Sequence, residues 1–290
     1  MRLIHPLFTV VLVSVCSCSL NKFTANTTAN LFVEASETFN QEHDLTLAKE
    51  SMPANLKMIE GLQKVSPENQ TILTMLAKGY CSYSFAFLED NEKPGDLDRA
   101  KSLYVRGYKY GLNALDEDVK KSTAASLQEM EKTIKEVSGD ENVASLFWTA
   151  YCISSWINLS KNDVSAIAEL SRAELMMRQV LKEEEEFYYG SAHLFFGVYY
   201  GSRPKMLGGD PLKAKEHLEK AIMISNGKFL LSKLYFAQFY AVPTQQEELF
   251  ERTLKEILEA PIDLLPEERL ANQVAKKRAL KLLNIKNRLF

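Results

Sequence analysis

The residues of this chain that could carry out acid–base or metal chemistry are few. Beyond the N-terminal apolar run lie His43, His193 and His217, and none has a second histidine or a cysteine at the spacing of a metal site. The sequence contains neither a nucleophile elbow nor a phosphate-binding loop. The consecutive carboxylates of Glu183–Glu186 would point around a helix rather than at one centre, which indicates a solvated face. We therefore predict no catalytic residue, no metal and no cofactor.

A band of aromatic residues is the other feature of the sequence that could have a functional role. Residues 147–200 hold aromatic side chains at about twice the 10% of the whole chain. A closed core is the favoured interpretation of the cluster as a whole, because large aromatics bury much area between helices. Buried tyrosine and tryptophan nonetheless need polar partners, so a pocket for an organic ligand is the alternative. Its candidate lining residues are Trp148, Tyr151, Tyr188, Tyr189, His193 and Tyr200.

Helices must position these side chains, since apolar residues recur at helical spacing from residue 31 to the end. Phe196, Gly197 and Tyr200 follow the tetratricopeptide pattern of a large, a small and an aromatic residue, and the partner helix carries Ala214 and Leu218 on one face. Such a hairpin cannot bury its apolar face alone, so it implies neighbours. The sequence predicts an all-α fold: a degenerate tetratricopeptide-like array of helical hairpins, an α-solenoid, with about eleven helices.

Turn residues and additional helices complete this prediction. Residues 120–137, rich in lysine and glutamate, are predicted to form an extra amphipathic helix, and residues 266–283 a final helix that caps the array. The residues assigned to turns, caps or close helix packing rather than to chemistry are Gly190, Gly197, Gly208, Gly209, Asp210 and Pro211.

The N-terminus has the pattern of a secretion signal. Arg2 precedes an apolar run, Leu7–Val15, which is too short to span a bilayer. The following Val15–Cys18, VCSC, resembles a bacterial lipobox, and Cys18 fits the acylated position better than Cys16 because a small residue precedes it. We predict a lipoprotein signal peptide at 1–17, a polar tether at 18–30 and a helical domain at 31–290, with acyl chains that hold the protein on a membrane.

The net charge and the internal cysteines lead to two further expectations. The net charge of −3 gives no basic excess, which argues against a nucleic acid partner. Cys81 and Cys152 lie beside tyrosines in apolar helical patterns, so buried core thiols are favoured over a disulfide.

The chain resembles the T-component of tripartite ATP-independent periplasmic (TRAP) transporters, a family of tetratricopeptide-repeat periplasmic lipoproteins. The resemblance is spread in order along the sequence. It is carried by VCSC (15–18), PANLKMIEGL (53–62), the helix around residues 76–80, LFWTAYCISSW (146–156), Tyr189-Gly190 with His193 and Gly197, GGDP (208–211), Ala221-Ile222, residues 237–242 and residues 270–275.

The resemblance implies a protein that is not an enzyme and that lies in the bacterial periplasm, anchored by lipid to the cell membrane or the outer membrane. It implies binding to the periplasmic solute-binding receptor, the P-component of the transporter, and assistance in the uptake of a small organic, apolar ligand. A tetratricopeptide lipoprotein that scaffolds outer-membrane assembly or cell-wall enzymes is the alternative, and a homo-oligomer stays open.

Overall fold

Helices account for all the regular structure of the chain that is described. The computed structural model describes residues 24–90 and 93–290, and no strand occurs within them. The all-α helical array predicted from the sequence is confirmed. The predicted signal peptide at 1–17 and the candidate acylation residues Cys16 and Cys18 lie outside the described residues. Within those residues, none of the helices combines the length and the apolar character that crossing a membrane requires.

The helices follow one another through short loops and are numbered here in chain order. They are α1 (residues 24–40), α2 (Leu45–Val65), α3 (Gln70–Phe87), α4 (Asp96–Ala114), α5 (Glu117–Ser122), α6 (Leu127–Ile134), α7 (Asp140–Leu159), α8 (Val164–Ala168), α9 (Leu170–Glu183), α10 (Phe187–Gly201), α11 (Pro211–Ile224), α12 (Leu230–Phe236), α13 (Glu247–Glu259) and α14 (Arg269–Asn284). A π-helical segment, Ala237–Ala241, continues α12.

Helix α1 includes residues that the sequence assigned to the tether at 18–30. Residues 24–30 are helical, and Ala25 and Ala29 are buried. The Asn26 side-chain oxygen accepts hydrogen bonds from Ser66 Oγ (2.8 Å) and Asn69 Nδ2 (2.9 Å) at the α2–α3 turn. The small and polar residues of this stretch therefore pack on the array from residue 24 onward.

The lysine- and glutamate-rich stretch at 120–137 differs from its predicted form. It contains the end of α5, a turn and α6 instead of one amphipathic helix. Ser126 interrupts it, because its side chain accepts a hydrogen bond from Glu129 N while the Glu129 side chain accepts one from Ser126 N. This capping box starts a new helix where the sequence pattern suggested continuity.

Helices α3 and α7 lie side by side and parallel. Gln70 Nε2 donates to Asn142 Oδ1 (2.9 Å) near their N-termini, and one turn later Thr74 shares a hydrogen bond with Ser145. Two turns further on, the buried Cys81 and Cys152 form a disulfide with a Cα–Cα distance of 5.6 Å.

The prediction of free core thiols at Cys81 and Cys152 is therefore wrong, although both residues are buried. The two cysteines meet because α3 and α7 are neighbours in space, which their separation of 71 residues does not indicate. Gly107 of α4 faces the bridge, and a Cβ there would collide with both sulfurs. A glycine at this position lets α4 pack directly over the disulfide.

The last helix returns to the beginning of the array. Arg278 of α14 donates to the Phe85 carbonyl oxygen (2.5 Å) and to Glu89 (2.7 Å) at the end of α3. Its guanidinium carbon lies 3.7 Å from the centroid of the Phe85 ring. Asn272 fixes the other side of α14, because it accepts from Leu230 N (2.9 Å) and donates to the Lys228 carbonyl (3.0 Å). Helix α14 thus joins α3 to α12 along the inner face of the array.

Candidate functional site

A cavity of about 250 Å³ lies on this inner face. Helices α1, α2, α3, α7, α9, α10 and α14 contribute to its walls, together with α12 and its π-helical extension. The lining is mostly apolar, and the wall is rich in aromatic rings. Its volume is close to the lower bound of about 300 Å³ that is usual for sites of small organic ligands.

Trp148 and Tyr151 of α7 and Tyr188 of α10 form one aromatic wall of the cavity. The Trp148 and Tyr188 rings meet edge to face with centroids 5.4 Å apart, and Trp148 meets Tyr151 in the same way at 5.5 Å. These arrangements are favourable for aromatic pairs and hold each ring in a defined orientation. The structure thus brings three of the six residues predicted for a pocket into one cavity wall.

The backbone at the start of α10 places the Tyr188 side chain. Tyr188, Tyr189 and Gly190 have φ values of 44°, 60° and 71°, which lie in the left-handed region. Glycine adopts this region freely, whereas each tyrosine costs roughly 1–2 kcal/mol there. Such strain is found where surrounding contacts over-determine a conformation, often at functional sites. Here the local backbone directs the Tyr188 ring to the cavity and its hydroxyl to Glu268.

Two charged side chains, Lys78 of α3 and Glu268 just before α14, also line the cavity. The Lys78 ammonium lies over two aromatic faces, 5.6 Å from the Trp148 centroid and 5.4 Å from the Tyr188 centroid. Glu268 is only 6% exposed and accepts a hydrogen bond from the Tyr188 hydroxyl at 3.1 Å. Lysine, glutamate and tyrosine therefore form a polar group in an otherwise apolar wall.

Burial controls the protonation of this group. Loss of hydration raises the pKa of the Glu268 carboxyl to about 7, although Lys78 and the Tyr188 hydroxyl favour its ionised form. Loss of hydration lowers the pKa of the Lys78 ammonium, and the Glu268 charge opposes that shift. The charge on this wall therefore changes near neutral pH.

The other three predicted pocket residues, Tyr189, His193 and Tyr200, do not belong to this lining. Tyr189 stacks on Phe229, with ring centroids 4.9 Å apart. Tyr200 stacks on His217 at the far end of α10, with centroids 5.9 Å apart. These rings fill the contacts of α10 with α11 and with the loop before α12, so the aromatic band divides between cavity wall and core.

His193 meets His217 between α10 and α11. Their Nδ1 atoms are 2.8 Å apart, and the His193 Nε2 atom lies 3.2 Å from a Glu185 carboxylate oxygen. Burial lowers the pKa of both rings, that of His217 to about 4. Across residues 24–90 and 93–290, no group of three or more histidine, cysteine, aspartate or glutamate residues is arranged to hold a metal ion.

The glycine-rich turn before α11 holds the α10–α11 hairpin in place. Asp210 caps α11 by accepting hydrogen bonds from Leu212 N and Lys213 N, and Pro211 is the first residue of the helix. Gly208 has a φ of 83°, and a Cβ at Gly209 would collide with the Arg203 carbonyl. Within the hairpin, Gly197 packs directly against Leu218.

Lys78 and Glu268 are the cavity residues that the sequence did not indicate. Lys78 lies in a helix that reads as apolar core, and Glu268 follows a proline at the start of the last helix. The two residues are distant in the sequence and share no spacing pattern. They come together because α14 returns to α3. This contact is long-range, and no local sequence pattern indicates it.

Comparison with known proteins places this architecture in a family. Residues 41–290 match the family model of the TRAP transporter T-component, so the match includes α2 to α14 and every cavity wall except α1. A protein of Treponema pallidum (strain Nichols), described as an uncharacterized protein, is 21% identical over 254 residues, which cover 83% of this chain and 79% of that protein. The chain belongs to the TRAP transporter T-component family, whose role in TRAP transport is that of an accessory component.

Proposed function

We propose that this protein is a non-catalytic periplasmic lipoprotein that binds the solute-binding receptor of a TRAP transporter and holds a small organic ligand during uptake. The family match supports the role in transport. The cavity is the single observation that carries the ligand-binding part of the proposal. Family membership supports association with a TRAP transporter, and the solute-binding receptor is the partner that we propose within it.

The apolar cavity favours transport over the scaffold alternative. A scaffold would present an open concave groove to extended segments of other envelope proteins. In this chain α14 lies along the inner face and is held there by Arg278 and Asn272. The space that remains is apolar, aromatic and of the size that suits a small molecule.

The disulfide supports the proposed location. Cytosolic reductants keep most thiols reduced, whereas disulfides persist in the periplasm and other oxidising compartments. The bridge between Cys81 and Cys152 is buried in the core and joins two helices that line the cavity. Acylation at Cys18 remains a proposal from the lipobox-like sequence, as does the choice between the two membranes.

Binding of an apolar fluorescent probe tests the function of the cavity. N-phenyl-1-naphthylamine becomes strongly fluorescent in apolar surroundings, and we expect the purified protein to bind it. Ser82→Leu adds a branched side chain to the cavity lining and should weaken binding at least tenfold. Ser171→Leu, on the exposed face of α9, is the matched control and should bind as the wild type does.

Two results would contradict the proposal. One is a wild-type protein that does not bind the probe, and the other is a folded Ser82→Leu protein that binds it unchanged. Circular dichroism melts of both variants establish that folding is retained.

A further inference from the structure

The Lys78 ammonium is the least satisfied charge in the cavity. Its Nζ atom lies over both the Trp148 and the Tyr188 ring, 5.6 Å and 5.4 Å from their centroids. Among the residues that the structure describes, none accepts a hydrogen bond from it, and Glu268 attracts it without forming a direct ion pair. The Lys78 side chain is part-buried, and the three donors of its ammonium group are open to whatever occupies the cavity. The arrangement therefore offers unused donors at a defined point of an apolar cavity.

The charge of these donors selects the ligand class. The two aromatic faces that would otherwise attract a cation are already occupied by Lys78, so a cationic ligand would be repelled. A neutral apolar ligand would leave the ammonium without an acceptor. A carboxylate would accept its hydrogen bonds and neutralise its charge. The apolar remainder of the cavity would then enclose the body of the ligand.

We propose that Lys78 is the head-group contact of the cavity and that the ligand is an amphiphile with one carboxylate and an apolar body. This inference rests on the proposed function, because it assigns the chemistry of the same cavity. A single ammonium suits one carboxylate better than a phosphate, which carries more charge and is usually held by several donors. The Glu268 carboxyl in the same wall would repel a ligand that carries more than one negative charge.

Glu268 makes binding depend on pH in a defined direction. The charged or titratable groups that face it are Lys78 on α3, Tyr188 and Tyr189 on α10 and the adjacent Glu267. Above pH 7 Glu268 is ionised and repels a ligand carboxylate, whereas below pH 7 it is neutral and the repulsion is lost. The wild-type protein should therefore bind the acid more tightly at pH 6 than at pH 8. Glu268→Gln should remove this difference.

Competition against the same fluorescent probe tests the assignment with the full-length protein. Decanoate, decanol and decylamine share an apolar chain and differ in the charge of the head group. We expect decanoate to compete at least tenfold better than the other two compounds. Lys78→Met should remove the preference for decanoate over decanol, while Lys78→Arg should retain part of it. Lys132→Met, at an exposed lysine of α6, is the matched control.

The possible failures are distinguishable. Equal competition by decanoate and decanol, or a Lys78→Met protein that keeps the full preference, would overturn the role of Lys78 and leave the apolar cavity intact. Stronger competition by decylamine would overturn the carboxylate assignment. Failure of the probe and all three compounds to bind would overturn the proposed function as well. If Lys78→Met does not fold, Lys78→Gln takes its place in the same competition, and a folded Lys78→Gln protein that keeps the full preference for decanoate would overturn the role of Lys78.

Discussion

Reduction of the Cys81–Cys152 disulfide should destabilise the folded protein substantially. The bridge closes a loop with a sequence separation of 71 residues. For a loop of this length, the chain-entropy model gives a stabilisation of about 4 kcal/mol, because the bridge restricts the unfolded chain. For a domain of this size, each kcal/mol corresponds to roughly 2 °C in Tm, so the expected loss is about 8 °C.

Thermal melts with and without a reductant that reaches the buried bridge would measure this effect. The double variant Cys81→Ala/Cys152→Ala is the control: its Tm should be low and should not respond to reductant. Peptide mapping after alkylation in denaturant should find both cysteines blocked unless reductant is added. Labelling of both thiols without reductant, or equal melts of the oxidised and reduced wild type, would refute the reasoning.

Packing and protonation lead to three further predictions. Gly197→Ala places a Cβ 2.5 Å from Leu218 Cδ2 and should cost about 1–3 kcal/mol in urea unfolding. A Cβ at Gly61 would have no neighbouring atom within 4 Å, so Gly61→Ala should leave stability unchanged or raise it. Equal losses of stability in the two variants would contradict the packing argument. Burial lowers the pKa of His217 from 6.5, the value for an unfolded chain, to about 4 in the folded protein. The free energy of unfolding should therefore be highest above pH 6.5 and should fall as the pH drops toward 4. His217→Phe should flatten this dependence in urea titrations, and an unchanged slope would count against it. Burial raises the pKa of Glu60, but the hydrogen bonds that its carboxylate accepts outweigh burial and lower the pKa from 4.5 to about 2. Glu60→Gln should therefore be less stable than the wild type at pH 7 in urea titrations. It should also lose less stability than the wild type as the pH falls from 4.5 to 2.

The general architecture could be predicted because it depends on local patterns. Helical spacing, proline and glycine punctuation and the Asp210 cap are properties of neighbouring residues, and they indicate an all-helical array directly. The same local rules failed where a cap interrupts an apparently continuous pattern, as Ser126 does between α5 and α6. Residues 24–30 form a helix that contacts the α2–α3 turn, which composition alone did not indicate.

The site could be predicted only in part, because it depends on long-range contacts. Trp148, Tyr151 and Tyr188 were accessible to sequence reasoning because aromatic residues are dense in α7 and α10. Nothing local separates them from Tyr189 or Tyr200, which face other helices. Lys78, Glu268 and the Cys81–Cys152 bridge all depend on helices that meet across many residues of chain, α3 with α7 and α3 with α14.

Purification of the native protein from its own cell envelope, followed by mass spectrometry of co-purifying proteins and released small molecules, tests the central claim most directly. The account predicts a solute-binding receptor of a TRAP transporter at near-stoichiometric yield, together with a small organic molecule. The Ser82→Leu protein should retain the receptor and lose the small molecule. Recovery of outer-membrane assembly proteins or cell-wall enzymes in place of the receptor, with no small molecule, would contradict the account.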